Sequence, residues 1–376
     1  MSYTQTSSEG FFSRLSSAFG GIVVGFILIL VSAVLLYWNE GNYVRTAQGL
    51  AEGKGSVVDI QDSKVDPAHE GKLVHLTGAA KAGAELKDQT FGVKASALRL
   101  RRNVQIYQWK EKQESKKRKK LGGGEEKVTT YTYEKVWSDT PINSSNFKES
   151  GHTNPPGPGY SDEVFDALDA RLGAFELKPP VLNSLSHFET LSLSGVALPA
   201  EQSRLKVTGD SLYSGRDPGS PAVGDFKITY QVVRPGTISV VAKQVGNSFD
   251  SYTTKSGTTI LLVDNGSKAA REMFSGAEQS NSSLTWILRG VGWLLMCIGF
   301  SMLFGPVTVI ADIIPFFGDL VGIGTGLFGF MIGSALSLVV IAIGWVVARP
   351  LIGILMLLAA GAAVGFAFKM GRSRRG

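Results

Sequence analysis

The chain reads as a multi-pass α-helical membrane protein with a large, β-rich α+β domain outside the membrane. Three observations predict that class. Long apolar runs are confined to residues 18–38 and 291–368 of the 376. Between them, the sequence alternates turn-rich stretches with short runs of β-branched and aromatic residues. The 45 glycines show no three-residue period and instead recur at every fourth position inside apolar runs, which excludes a collagen-like chain. A hydrophobic content of 44% excludes a disordered chain, and a net charge of +6 is too mild to mark a nucleic-acid binder. The single cysteine, Cys297, excludes an intramolecular disulfide and any multi-cysteine zinc site.

Residues 1–17 form an N-terminal segment in which Phe11, Phe12, Leu15 and Phe19 fall at helical spacing around Arg14. That pattern suits an amphipathic turn on a membrane surface as well as an apolar tail. Residues 18–38 carry no charge over twenty-one positions, long enough for a first span. The run exceeds a signal-peptide core and lacks a small-residue cleavage site, so it reads as retained. Tyr37, Trp38, Asn39 and Glu40 then supply an interfacial anchor and a polar stop.

Residues 41–283 form the extramembrane domain. Strands are predicted at 72–77, 103–109, 128–133, 226–233, 237–243 and 258–263. Ser161-Asp162-Glu163 is placed to cap a helix through Val164, Leu168 and Leu172, and Ser267 to cap another leading toward the second span. A faint echo between Leu76-Thr77-Gly78 and Val207-Thr208-Gly209 leaves room for two related halves joined at the Pro- and Gly-rich stretch 152–160.

Three further spans are expected at 290–310, 320–347 and 351–368, the last two separated by Arg349-Pro350. Proline removes a backbone donor and disfavours helix in the residue before it, so a tight turn is the natural connection. Residues 312–319, with Pro315 between two acids, read as an interfacial or re-entrant elbow. The tail 369–376 carries Lys369, Arg372, Arg374 and Arg375 and no acid, which places it in the cytoplasm. Four spans then put the N-terminus on the same side and the domain in a periplasm or lumen.

No chemical motif assembles. His69, His75, His152 and His187 form no metal-ligand spacing, and no nucleophile elbow or phosphate-binding loop is present. Gly322, Gly324 and Gly326 lie inside an apolar run rather than between strand and helix, so a dinucleotide reading fails. Neither catalytic residues, cofactor nor metal are therefore expected. Two features remain. Gly318, Gly322 and Gly326, with Gly329 and Gly333, provide small-residue stripes for close helix approach, within one molecule or between copies. Lys116, Lys117, Arg118, Lys119 and Lys120 crown a region between two strands, as the solvated tip of a hairpin or as a contact for anionic lipid. Ionisable groups are nearly absent from the spans, which disfavours transport.

Several collinear stretches resemble one known family. They are Asn39-Glu40-Gly41, Glu70 to His75, Leu98 to Arg102 with Tyr107 to Trp109, Ile142-Asn143, Asn146-Phe147, Gly151-His152, Asn154-Pro155, Val223 to Asp225, Thr254 to Thr258, and Gly344-Trp345 with Arg349-Pro350. Together they are similar to the LUMA family, also called transmembrane protein 43, from about Phe12 to the last span. The resemblance implies a protein of the endoplasmic reticulum and inner nuclear membrane in animals, with relatives in bacterial membranes and no catalytic motif. It also implies self-association and the organisation of membrane protein complexes, with lamins and emerin as partners where those exist. The expected function is accordingly that of a non-enzymatic organiser, in contact with membrane lipids, other membrane proteins and further copies of itself. A membrane-anchored lipid-binding module or surface enzyme is the alternative.

Overall fold

The computed structural model describes residues 2–349, and the expected fourth span and tail lie outside them. Three helices are long and apolar enough to cross a bilayer, one N-terminal and two C-terminal. They are α1 (Phe11–Ser56), α3 (Ala270–Leu303) and α5 (Pro315–Ala348); a short α2 (Pro179–Ser184) lies in the domain and α4 (Gly305–Ala311) between α3 and α5.

The first span is part of something longer. At ~1.5 Å per residue the 46-residue α1 extends ~70 Å, roughly twice a hydrocarbon core. No proline interrupts it, and beyond Glu40 its apolar face continues through Val44 and Leu50, both buried. The helix therefore runs on into the domain as a rigid strut. Around Leu50 pack Leu73, Val241, Ile260, Ala270, Met273 and Phe274, a cluster that fuses α1, α3 and the sheet behind them.

The span expected at 290–310 is two helices. α3 ends at Leu303, and Gly305-Pro306 opens α4, where proline at the first turn lacks a donor that the helix does not need. Pro315 opens α5 in the same way, so the elbow shrinks to residues 312–314. α1 and α3 are antiparallel, with Gly25 against Gly299 near one end and Glu40 beside Arg289 near the other.

The domain holds an eight-stranded and a seven-stranded sheet. The seven-stranded sheet centres on Leu73–Lys81 paired antiparallel with Gly236–Val245. The eight-stranded sheet centres on Arg99–Lys119, flanked by Phe226–Val233 and Glu125–Ser138. Apolar clusters around Leu98, Leu172 and Phe249, and around Phe91, Leu212 and Tyr230, fill the two sides. Both sheets draw strands from either side of residues 152–160, so the two sides of that stretch fold into shared sheets. The helix expected after Ser161 is instead two short strands, Glu163–Asp166 and Arg171–Leu172. Val164 and Leu168 are exposed while Ala167, Ala170 and Leu172 are buried, so the residues facing the core do not follow the expected period-four stripe. Ala269, not Ser267, precedes α3, and no side chain caps it.

The strand Arg99–Lys119 has 21 residues and pairs with Glu125–Ser138 in register from Ile106–Ser138 to Lys119–Glu125. A third strand, Ser2–Glu9, lies antiparallel along Glu125–Thr132 and forms an edge of the sheet. The segment expected to rest on the membrane surface is thus a strand up to Glu9 and helix from Phe11. The three strands form a polar ribbon. Its base is in the domain, at the C-terminal end of α1, and its tip touches the N-terminal end.

Candidate functional site

The hairpin tip is where the ribbon, α1 and the elbow meet. Three consecutive glycines, Gly122 to Gly124, let the chain reverse, with φ positive at Gly122 and Gly123. Gly122 N–H donates to the Ile313 carbonyl at 3.1 Å, and Arg14 donates to the Gly123 carbonyl at 2.6 Å. A side chain at Gly123 would strike the Phe11 ring. Asp312 lies at the centre, fully buried, 2.5 Å from Arg14 and 2.6 Å from Lys119. Lys119 also reaches Asp319 at 2.8 Å, and Arg14 lies 3.6 Å from Glu125.

Of the five expected headgroup contacts, three already have carboxylate partners. Lys117 pairs with Glu125, Lys119 with Asp312 and Asp319, and Lys120 with Glu126. Lys116 and Arg118 make no ion pair among the described residues and are exposed. The run is therefore mostly a clamp, and its partners Arg14, Asp312 and Asp319 are residues that sequence reading did not connect to it. The one available signal was two acids in an elbow of an otherwise acid-poor apolar region.

The glycine stripes divide. Gly329 lies against the Ser301 backbone and Gly333 against the Cys297 backbone, both on α3, while Gly318 fits over Asp312. Gly322 leaves a looser gap to Thr308, and nothing approaches Gly326 within 4 Å. The α1–α3 contact is equally close, with a Cβ on Gly25 placed 2.7 Å from the Gly299 carbonyl oxygen. Gly292 accommodates Leu36, and Ser32 donates to the Gly292 carbonyl at 2.6 Å.

The opposite end of the bundle is pinned by charge. Glu40, with no exposed surface, accepts from Arg289 through both carboxylate oxygens at 2.7 Å each. Asn39 donates to the Thr285 carbonyl at 3.2 Å, and Gly344 of α5 packs directly on the Glu40 side chain. One ion pair thus fastens α1 to α3, with α5 packed on it, at the end of the bundle nearest the domain.

Residues singled out by resemblance occupy similar junctions. Asn154 accepts from the Trp109 N–H at 2.7 Å and donates to the Trp109 and Ile142 carbonyls, pinning the loop 139–154 to the ribbon's base. Arg102, Asp88 and Tyr230 form a buried triad, with Arg102 and Tyr230 donating to the same Asp88 oxygen at 2.6 and 2.7 Å. The loop Thr254–Thr258 fits against Gly49 of α1. Among the histidines, His75 is satisfied at both nitrogens by Asp59 and the Lys268 carbonyl, and His152 stacks on Tyr133. Among the described residues, no group of three or more His, Cys, Asp or Glu is arranged to hold a metal.

A packed bundle of apolar helices running into a two-sheet domain defines an integral membrane protein with a large extramembrane domain. Comparison with known proteins gives the family. Residues 106–350 match the family described as Transmembrane protein 43. Human Transmembrane protein 43 is 36% identical over 365 residues, covering 94% of this chain and 90% of the human one. The mouse protein is 35% identical over 360 residues, covering 93% and 89%. The Transmembrane protein 43 homolog of Drosophila melanogaster is 30% identical over 348 residues, covering 89% and 90%. This chain belongs to the Transmembrane protein 43 family. No solved structure is significantly similar to it.

Proposed function

We propose that the protein acts without catalysis, as a self-associating organiser of membrane protein complexes. In this reading α1, α3 and α5 cross the bilayer, with the domain on the periplasmic or luminal side and Phe11 on the cytoplasmic side.

The observation that carries the proposal is the course of the ribbon. From Lys110 to Lys119 and from Glu125 to Lys135 it carries charged side chains along ~33 Å, about the thickness of a hydrocarbon core. It starts at the domain end of the helices and finishes at their other end. Lipid does not tolerate polar strands and open sheet edges; at that depth they survive only against protein or around water. A neighbouring protein, in the first instance another copy, supplies that wall. The apolar bundle explains anchoring; the ribbon explains why the anchor would not stand alone.

Cysteine crosslinking in native membranes tests this. Glu114 is exposed on the ribbon. In a Cys297→Ser background, Glu114→Cys should give a reproducible crosslinked species and resist an impermeant thiol reagent applied from the domain side. Free labelling with only monomer recovered would mean that the ribbon stands alone in water, and would remove the proposal.

A further inference from the structure

The ribbon has two open margins. Along Arg99–Lys119 the outer side is covered by Phe226–Val233 only as far as Ile106. Gly224 and Asp225 then bond the Tyr107 backbone, and Asn154 bonds that of Trp109. The N–H and C=O of one residue leave a strand on the same side, and successive residues alternate. Glu111, Gln113, Ser115, Lys117 and Lys119 therefore turn theirs outward. On the far margin, Tyr3, Gln5, Ser7 and Glu9 direct theirs to Glu125–Thr132, which leaves those of Ser2, Thr4, Thr6 and Ser8 facing out. Among the described residues no strand pairs with either margin, and both Tyr3–Glu9 and Lys112–Arg118 are exposed. Sheets usually blunt an open edge with charge, proline or a bulge; Ser2 to Ser8 carry none of these.

The two margins match each other. Thr6 lies level with Lys116, both opposite Val128, and Glu9 lies level with Lys119 across Glu125. Both strands run toward the tip. Copies inserted in a membrane in the same sense differ by a rotation about its normal, which preserves that direction. Ser2–Glu9 of one copy beside Lys112–Lys119 of the next is therefore a parallel pair. Thr6 then bonds Ser115 and Lys117 on either side of Lys116, the slanted pattern of a parallel ladder. Charge favours the same choice. Ser2 to Ser8 are neutral, while Glu9, Lys116 and Arg118 form no ion pair among the described residues. Lys112–Lys119 against its own copy would oppose like charges. Ser2–Glu9 antiparallel to its own copy would leave one molecule inverted in the membrane.

We propose that copies join edge to edge, Ser2–Glu9 of one pairing in parallel with Lys112–Lys119 of the next, in a closed head-to-tail ring. The interface rests on the reading above, in which the ribbon lies at bilayer depth and a further copy covers it.

The test uses the full chain in native membranes, in a Cys297→Ser background. Gln5 and Ser115 are two strand spacings apart within one copy, ~10 Å and too far for a disulfide, but adjacent between copies. Gln5→Cys with Ser115→Cys should oxidise into a ladder of covalent oligomers ending at a fixed rung, and either variant alone should stay monomeric. Thr6→Pro removes an outward donor without touching the ladder to Glu125–Thr132, and should cut the yield about fivefold or more. Thr6→Lys, set against Lys116, should do the same, and Lys116→Glu in that background should restore it. A disulfide in Gln5→Cys alone, or yields unmoved by Thr6→Pro and Thr6→Lys, would overturn the interface. So would the absence of any ladder while the Glu114→Cys crosslink persists, which keeps self-association and places it elsewhere. Loss of both species would remove the broader reading as well.

Discussion

Buried charge is concentrated at a few residues, and each makes a measurable statement. Removing one partner of a buried ion pair strands the other, at a cost of about 3–5 kcal/mol. Glu40→Gln should therefore lower the thermal unfolding temperature of the detergent-solubilised protein sharply. Glu40→Met with Arg289→Met should recover much of the loss, since no unpaired charge remains; equal damage from the single and double variants would contradict this. In the domain, Tyr213 and Tyr230 are both held protonated well above the usual tyrosine range. Burial is the main cause, reinforced by hydrogen bonds to Asp225 and Asp88 respectively. A raised pKa in the folded state means that the fold binds the proton more tightly than the unfolded chain does. The stabilisation is complete below about pH 10 and is lost as the pH rises beyond it. Circular dichroism of the solubilised chain should show stability falling above that pH, and Tyr230→Phe should flatten the fall. These pairings were not legible in the sequence, because Asp88, Arg102 and Tyr230 are brought together only by sheet pairing across more than a hundred residues.

At the level of elements, the sequence located the long central strands, because alternation and β-branching are local properties, and missed most of the two- to four-residue strands. The long hairpin and the central strands of both sheets stand where those signals put them. The segment after Ser161 failed because Val164 and Leu168 face solvent while Leu172 enters the core, and short pairing to Arg99–Arg102 decided the outcome. The apolar runs gave the membrane helices but not their ends. α1 carries on past its polar stop because tertiary packing on Leu50 and Gly53 replaces lipid, and α3 stops at Gly305-Pro306. Glycine spacing indicated close helix approach without saying which helix would approach. The structure distinguishes the glycines sharply enough to test. Gly333→Leu must push into the α3 backbone and should destabilise the bundle, by roughly 1–3 kcal/mol for overpacking. Gly326→Leu enters open space and should leave monomer stability unchanged. If copies meet on that face, the same variant should reduce crosslinked dimer in membranes, and an unaltered dimer yield would move the interface elsewhere.

For the whole molecule, the clamp of Arg14, Lys119, Asp312 and Asp319 joins elements far apart in sequence across the length of the bundle. Lys119→Gln should loosen the tip without disturbing the domain core. Limited trypsin digestion should then cut faster at Lys116 and Arg118, while the unfolding temperature changes little, because the domain's apolar clusters lie far from the tip. Unchanged cleavage kinetics would mean that the strand Ser2–Glu9, rather than the ion pairs, holds the ribbon in place. The tip's basic residues were visible from sequence; their acidic partners belong to an elbow whose position depends on how three helices stack.

The strand Ser2–Glu9 carries a practical consequence for anyone handling the protein. An affinity handle or fluorescent fusion placed ahead of it would be threaded along a sheet margin instead of dangling in solvent, and would bias every measurement of assembly made with it.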